Sequence, residues 1–223
     1  MVEPELAWAE LGDAAELAED YIRHCLRHAT DADDCRADLE LLSELNGVDC
    51  IGDIEKCTAQ DRWAHVSYTE AVELLTQSGA LLINGPPRWG EELGTEHERF
   101  LADSVFSGAP VVVTDYPAAG KPFYMRRNGD GRTAAAFDVI FPRIAELAGG
   151  GQREEREDEL LANIRADGMD EQQYAWYTEL RRWGTVPHAG FGLGFDRLVQ
   201  FTAGVSNIRD AVSFPRTPGS ALC

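Results

Sequence analysis

The spacing of apolar side chains divides the chain into a helical front and a strand-rich back. Leu17, Tyr21, Ile22, Cys25 and Leu26 recur at helical intervals. This predicts a helix from Asp13 to about His28, with Asp13 as N-cap and Glu16 completing a capping box. Leu39, Leu42 and Leu45 share a face of a second helix, from about Asp33 to Leu45, closed by Asn46-Gly47. A short third helix is expected in the stretch from Ser67 to Leu75, capped near Thr69. Residues 79–95 are rich in glycine and proline and read as loop, with a helix from about Glu96. The pattern then changes. Pro110-Val-Val-Val-Thr-Asp-Tyr is dense in β-branched residues and predicts a strand. Phe123–Arg127 and Thr133–Phe141 read as strands joined by Asn128-Gly-Asp-Gly-Arg, whose glycines suit a tight turn. Helices are expected at about 153–166 and 170–182, with Gly168 between them. A glycine-rich segment, Gly190-Phe-Gly-Leu-Gly, then runs into a helix at Asp196–Ala203. This order of elements predicts an α+β fold with a mostly antiparallel sheet flanked by helices.

The 223 residues suffice for one domain with a real core. No run approaches the roughly 18 apolar residues of a membrane span. Met1-Val-Glu-Pro-Glu-Leu-Ala-Trp has neither the basic nor the apolar region of a signal peptide. The five cysteines (Cys25, Cys35, Cys50, Cys57 and Cys223) are odd in number and form no C-x-x-C pair. Free thiols, no membrane and a reducing cytoplasm are therefore expected.

Charge sharpens the picture. The net charge is −19, from 39 acidic and 20 basic residues, and Lys56 and Lys121 are the only lysines. A high-salt cytosol or a GC-rich coding bias would each favour such a balance. A uniform field of that sign repels phosphate and argues against a general nucleic-acid coat protein. The acid is concentrated in residues 1–70, which carry 18 acids and 5 bases. Arg181, Arg182, Arg197, Arg209 and Arg216 cluster against only Asp196 and Asp210. A phosphate-bearing ligand is expected in that locally positive region.

Three constellations could carry chemistry. Gly190, Gly192 and Gly194 clear side chains from one face of a strand, either for a flat ligand or for tight packing. Arg197, in the first turn of the following helix, can fork onto a phosphate. The spacing is not that of a dinucleotide fingerprint. Asp138 and Glu146 lie eight residues apart across a strand bend. They would either hold Mg²⁺ that bridges nucleotide phosphates or pair with Arg143 or Arg153. Gly149-Gly-Gly clears room before Gln152 and Arg153, which are expected to begin a helix. Arg153 could then reach a small anionic or amide-bearing ligand. Glu154, Glu155, Glu157 and Glu159 with Arg156 read as a solvated helix face. His24 and His28 stand at i, i+4 without a third ligand and read as partly exposed histidines. His97 and His188 have no partner visible in sequence; His188 reads as structural, although it could line the cleft beside the glycine strand. There is no nucleophile elbow and no Walker A loop.

Gly190-Phe-Gly-Leu-Gly-Phe-Asp-Arg-Leu resembles motif 3 of the class II aminoacyl-tRNA synthetases. Asn207-Ile-Arg-Asp and Phe214-Pro-Arg-Thr-Pro resemble the C-terminal signature of the aspartyl and asparaginyl subgroup. Asp138-Val-Ile-Phe-Pro with Glu146, and Gly149-Gly-Gly-Gln-Arg-Glu-Glu-Arg, are similar to the asparaginyl-tRNA synthetases in particular. So are Thr95-Glu-His-Glu-Arg, Thr114-Asp-Tyr-Pro, Phe123-Tyr-Met-Arg and Trp176-Tyr-x-x-Leu-Arg-Arg-Trp-Gly-Thr-Val-Pro-His. The similarity is collinear over nearly the whole chain.

The resemblance implies an ATP-dependent asparagine-tRNA ligase with Mg²⁺. Arg197 would hold the γ-phosphate, and the strand through Gly192 and Gly194 would floor the adenine. Glu146 would contact ATP and Mg²⁺, with Asp138 as the second acid at the metal. Arg153, beside Gly149, would recognise the side-chain end of asparagine. The implied partners are asparagine, tRNA-Asn and a second copy of the chain in a homodimer. The family usually has Gly where Ala145 stands and Ser where Gly151 stands. Met1–Ala7 resembles the end of motif 2, in the middle of a strand. Residues 1–223 are thus expected to be a partial class II catalytic domain, inactive alone and with a cut sheet edge. Motif 1, most of motif 2, the acid for the substrate amino group and the anticodon-binding domain are expected to lie outside it. Two further readings are an asparagine synthetase-like paralogue of the same fold and a non-catalytic remnant or split-gene subunit.

Overall fold

The computed structural model describes residues 1–220, so Cys223 lies outside the described residues. A six-stranded sheet runs through it in the order β1-β6-β5-β4-β3-β2. The strands are β1 (Glu5–Ala7), β2 (Ala64–Ser67), β3 (Val111–Thr114), β4 (Ala136–Phe141), β5 (Ala145–Gln152) and β6 (His188–Leu193). Only β2 and β3 pair in parallel. The helices are α1 (Leu11–Asp31), α2 (Asp33–Asn46), α3 (Cys50–Thr58), α4 (Tyr68–Gln77), α5 (Thr95–Phe100), α6 (Glu157–Ala166), α7 (Ala175–Arg182) and α8 (Phe195–Thr202). None among the described residues is long and apolar enough to cross a membrane. The mixed α+β architecture and mostly antiparallel sheet agree with the sequence reading.

One face of the sheet is covered by α1, α3 and α8. Val112, Phe137, Val139, Ala148, Phe191 and Leu193 pack there against Ala14, Ala18, Ile22 and Leu26. Each large side chain buried in this way contributes about 1.5–3 kcal/mol. The contact stripe of α1 runs through alanines, whose small side chains let the helix lie close to the sheet. Leu17, expected on that face, is 39% exposed. The opposite face is covered only in part. Val111, Val113 and Ile140 lie under Tyr68, Ala71 and Leu75 of α4 and under Leu101 and Ala102, which follow α5. Over β5 and β6 that same face carries glycines.

Several boundaries move for physical reasons. The Glu10 N–H donates to the Asp13 carboxylate at 2.7 Å, so Glu10 and not Asp13 is the N-cap of α1. Ser67 caps α4 in a capping box with Glu70, two residues before Thr69. Gly47, with φ +64°, closes α2 as expected. Phe123–Arg127 is not a regular strand. It makes isolated bridges, Met125 with Arg153 and Arg127 with Ala134. Gln152 ends β5 and Arg153 lies in one of those bridges, so neither begins a helix; α6 starts at Glu157. The glycines of β5 have backbone partners on both sides, in β4 and β6, and this pairing outweighs their weak strand preference. β1 falls in Met1–Ala7, where the resemblance implies a strand, whereas α3 and β2 are too short to show a period.

Candidate active site

A β-bulge builds the centre of the site. Val139 pairs with Ala148 but Ile140 pairs with Glu146, so Leu147 is an extra residue in β5. Strict alternation would put Leu147 on the face of Gly149 and Glu146 in the core. The bulge reverses both: Leu147 is 2% exposed within the core, and Glu146 joins Gly149 on the open face. Gly149 pairs directly with Asp138. A Cβ at Gly149 would lie 2.7 Å from Asp138 Oδ1 and 2.8 Å from Glu146 Oε1. The missing side chain is therefore a gap into which two carboxylate oxygens point.

Burial, and then the Asp138 carboxylate, raise the pKa of Glu146, while Arg197 and Lys121 act against them. Glu98 on α5 is pushed up to about 7, first by burial and then by Asp138 and Glu146. Tyr116 is held well above its ordinary value by burial and by Asp138. Its hydroxyl faces that acid without completing a hydrogen bond. Lys121 Nζ lies 3.1 Å from Asp138 Oδ2 and 3.9 Å from the centroid of the Tyr116 ring. Glu98, Tyr116, Lys121, Asp138 and Glu146 enclose a cavity of about 170 Å³.

Two larger cavities flank the acid pair and share Glu146. The first, about 910 Å³, is lined by Arg197, Glu98, Arg99, Asn207 and Ile208 among others. Arg197, in the first turn of α8, donates to the Glu146 carbonyl and lies 4.0 Å from its carboxylate, with its side chain 45% exposed. The second, about 360 Å³, brings together Asp138, Gly149, Gly150, Arg153, Gly192, Glu3 and Glu5. Arg153 donates to Glu5 Oε1 from Nε at 3.1 Å and from Nη2 at 2.5 Å. Its Nη1 is 3.6 Å from Met125 Sδ. Glu5 lies over Gly190, and the Met1 methyl lies over Gly192.

The structure thus gathers Asp138, Glu146, Gly149, Arg153, Gly192 and Arg197 on one face. Gly194 stands apart as the N-cap of α8, behind the Arg197 stem. The ion pairs expected for the two acids are not made. Arg143 pairs with Asp53 and Arg153 with Glu5. Glu154 is not on a solvated helix face. It is fully buried, accepting from Arg156 at 2.7 and 2.8 Å and from the Arg127 N–H at 3.1 Å. His97 is structural: Nδ1 accepts from the Gly94 N–H and Nε2 meets the Gly85 carbonyl. His188 heads β6 with Nδ1 against the Val186 carbonyl. His24 and His28 border a small apolar cavity with Cys25 and Phe195. Cys25, Cys35, Cys50 and Cys57 are free thiols.

Glu5, Glu98, Tyr116 and Lys121 were not singled out from sequence. Lys121 had a signal, being one of two lysines in a chain of 18 arginines. Glu3 and Glu5 also line the cleft.

Mg²⁺ fits the acid pair. Two hard carboxylate oxygens face one gap, and the Asp138 carboxylate disfavours the charge of Glu146. No cluster of three His, Cys, Asp or Glu side chains suited to a metal occurs among the described residues. Mg²⁺ commonly takes one or two carboxylates and completes its shell with water and phosphate oxygens.

Residues 1–218 match the profile of the class II tRNA synthetases (D, K and N). The chain belongs to this family. It is 48% identical over 223 residues to the asparagine–tRNA ligase of Desulfotalea psychrophila, covering all of this chain and 49% of that one. It is 49% identical over 218 residues to the asparagine–tRNA ligase of Oleidesulfovibrio alaskensis, covering 98% and 46%. The asparaginyl-tRNA synthetase of Pyrococcus horikoshii superposes with a TM-score of 0.84 at 33% identity, over 98% of this chain and 49% of that one. That synthetase has also been solved with asparaginyl-adenylate, with the same TM-score and identity. The chain spans about half the length of the curated relatives it matches. As a class II synthetase sheet, β4, β5 and β6 form an open platform with helices packed behind it.

Proposed function

We propose that this chain supplies the ATP- and asparagine-binding face of an asparagine–tRNA ligase. One observation carries the reading: the acid pair over Gly149 stands between Arg197 in one cavity and the Arg153–Glu5 pair in the other. A triphosphate needs the first and an amide side chain suits the second. Arg153 offers N–H groups to the amide oxygen, and the Glu5 carboxylate accepts from the amide NH₂. An aspartate side chain would set its charge against Glu5, so this pair discriminates between the two amino acids.

In this reading an oxygen of the asparagine α-carboxylate attacks the α-phosphorus of ATP. The bond to pyrophosphate breaks, leaving asparaginyl-adenylate. A ribose hydroxyl at the 3′ end of tRNA-Asn then takes the asparaginyl group and AMP leaves. Arg197 neutralises the γ-phosphate, and the glycine platform lets the nucleotide lie flat. The work of the chain is positioning and charge neutralisation. Mg²⁺, held by Asp138 and Glu146, would neutralise charge on the phosphate oxygens. A homodimer and the cytoplasm belong to the same reading. So does the assignment of motif 1, most of motif 2 and the anticodon-binding domain to the part of the relatives that the match leaves uncovered.

Calorimetric titration with a non-hydrolysable asparaginyl sulfamoyl-adenosine tests the proposal, with the aspartyl analogue alongside. The asparaginyl compound should bind at least about tenfold more tightly, and Arg153→Ala should abolish the preference. Equal affinities, or no binding of either compound, would count against it.

A further inference from the structure

We propose that Lys121 is the resident counter-charge of the acid pair, holding Asp138 in place of a divalent cation and competing with that cation for it. The inference rests on the reading of Asp138 and Glu146 as a cation site.

Five acidic residues, Glu91, Glu92, Glu98, Asp138 and Glu146, line one small cavity. Two cations face them. Arg197 forms its ion pair with Glu146, at 4.0 Å. The charge of Asp138 is left to Lys121, whose Nζ is 3.1 Å from Oδ2 and whose side chain is only 22% exposed. With Oδ2 engaged, Oδ1 is the oxygen that faces the Gly149 gap with Glu146 Oε1. The ammonium is therefore within reach of any ion entering that gap, and it repels it.

Lys121 also has a second seat. Its Nζ lies over the face of Tyr116 at 3.9 Å, a contact that persists when Asp138 turns to another cation. A lysine suits such an exchange. It is a point charge on a flexible stem, whereas an arginine in its place would fork onto both oxygens of Asp138 and keep them. The two substitutions are thus expected to act in opposite directions. A merely structural lysine would give the same direction for both.

The experiment is Mn²⁺ binding to the whole 223-residue chain, read from the free-ion electron paramagnetic resonance signal, for wild type, Lys121→Met, Lys121→Arg and Asp138→Asn. Lys121→Met should bind Mn²⁺ about tenfold more tightly. That is the size of the repulsion between a unit charge and a divalent ion at ~6 Å in water-like surroundings. Lys121→Arg should bind several-fold more weakly, and Asp138→Asn should lose the site. Circular dichroism melting confirms folding, with Lys121→Gln as the substitute if the methionine variant is unfolded. Unchanged or weaker binding in Lys121→Met overturns the role of Lys121 and leaves the cation site standing. Absence of Mn²⁺ binding in every protein, Lys121→Met included, overturns the cation site and this inference with it.

Discussion

Gly149 and Gly150 are neighbours on β5 that face opposite sides of the sheet, and one methyl group added to each should separate chemistry from stability. A Cβ at Gly150 would lie 2.3 Å from the Gly190 carbonyl oxygen, 2.5 Å from Phe191 Cβ and 2.6 Å from Phe191 Cα. These atoms belong to the paired strand and cannot rotate away. Reaching ordinary contact would part β5 and β6 by about 1 Å, disturbing the ladder as well as the core beneath. An extra methylene in a packed core costs about 1–3 kcal/mol, so Gly150→Ala should cost about 3 kcal/mol or more. For a chain of this size that lowers Tm by about 6–12 °C. Gly149→Ala meets only Asp138 Oδ1 and Glu146 Oε1, the ends of side chains that can swing aside. It should melt within about 3 °C of wild type and lose Mn²⁺ affinity, because the gap between the acids is filled. Thermal melts and Mn²⁺ titrations on the same samples test both halves. A Gly150→Ala protein melting within about 2 °C of wild type would refute the packing reasoning. A Gly149→Ala protein with undiminished Mn²⁺ affinity would refute the placement of the cation.

Three other outcomes can be measured directly. Ala145 has φ +66°, a left-handed conformation that disfavours side chains. Ala145→Gly should therefore raise stability by about 0.5–1 kcal/mol in urea unfolding, and a loss of stability would contradict the strain. Glu98 has a folded-state pKa of about 7 against an ordinary 4.5, so the folded protein keeps a proton that the unfolded chain releases between those values. Its contribution is present at low pH and lost as pH rises through about 7. Glu98→Gln should therefore gain roughly 1–3 kcal/mol over wild type at pH 8 and little at pH 5, and equal gains at both would exclude the shift. Glu5→Gln should narrow the preference for asparaginyl over aspartyl sulfamoyl-adenosine by about tenfold or more, and an unchanged ratio would remove Glu5 from amide recognition.

What was legible in the sequence was whatever a period or a short motif could express. The leucines of α2, the valines of β3 and the run from Gly190 to Arg197 each announce their element. Asp138, Glu146, Arg153 and Arg197 stood out by chemical type and fall on one open face. The alanine stripe of α1 was not legible, because alanine carries little weight in a hydrophobic period and Leu17 was read in its place. Glu154 looked solvated among charged neighbours, yet it folds back onto Arg156 and the Arg127 N–H. The partnership of Lys121 with Tyr116 and Asp138 joins segments that meet only when β3 and β4 pair. Glu5 was hidden for the same reason, since its approach to Arg153 spans 148 residues of sequence.

The extra residue at Leu147 makes the site depend on counting. A strand assigns its side chains to two faces by parity, and one unpaired residue is a change of phase. Removing Leu147 would leave nearly every backbone partner of β5 available, and the sheet could still form. The carboxylate of Glu146 would then stand directly before Ala148 and keep its place beside Gly149 by ordinary alternation, while the core would lose a leucine. The chain can therefore lose its bulge through a single-codon deletion without losing its acid pair. One further residue inserted between Glu146 and Gly149 would do the opposite and turn the acid into the core.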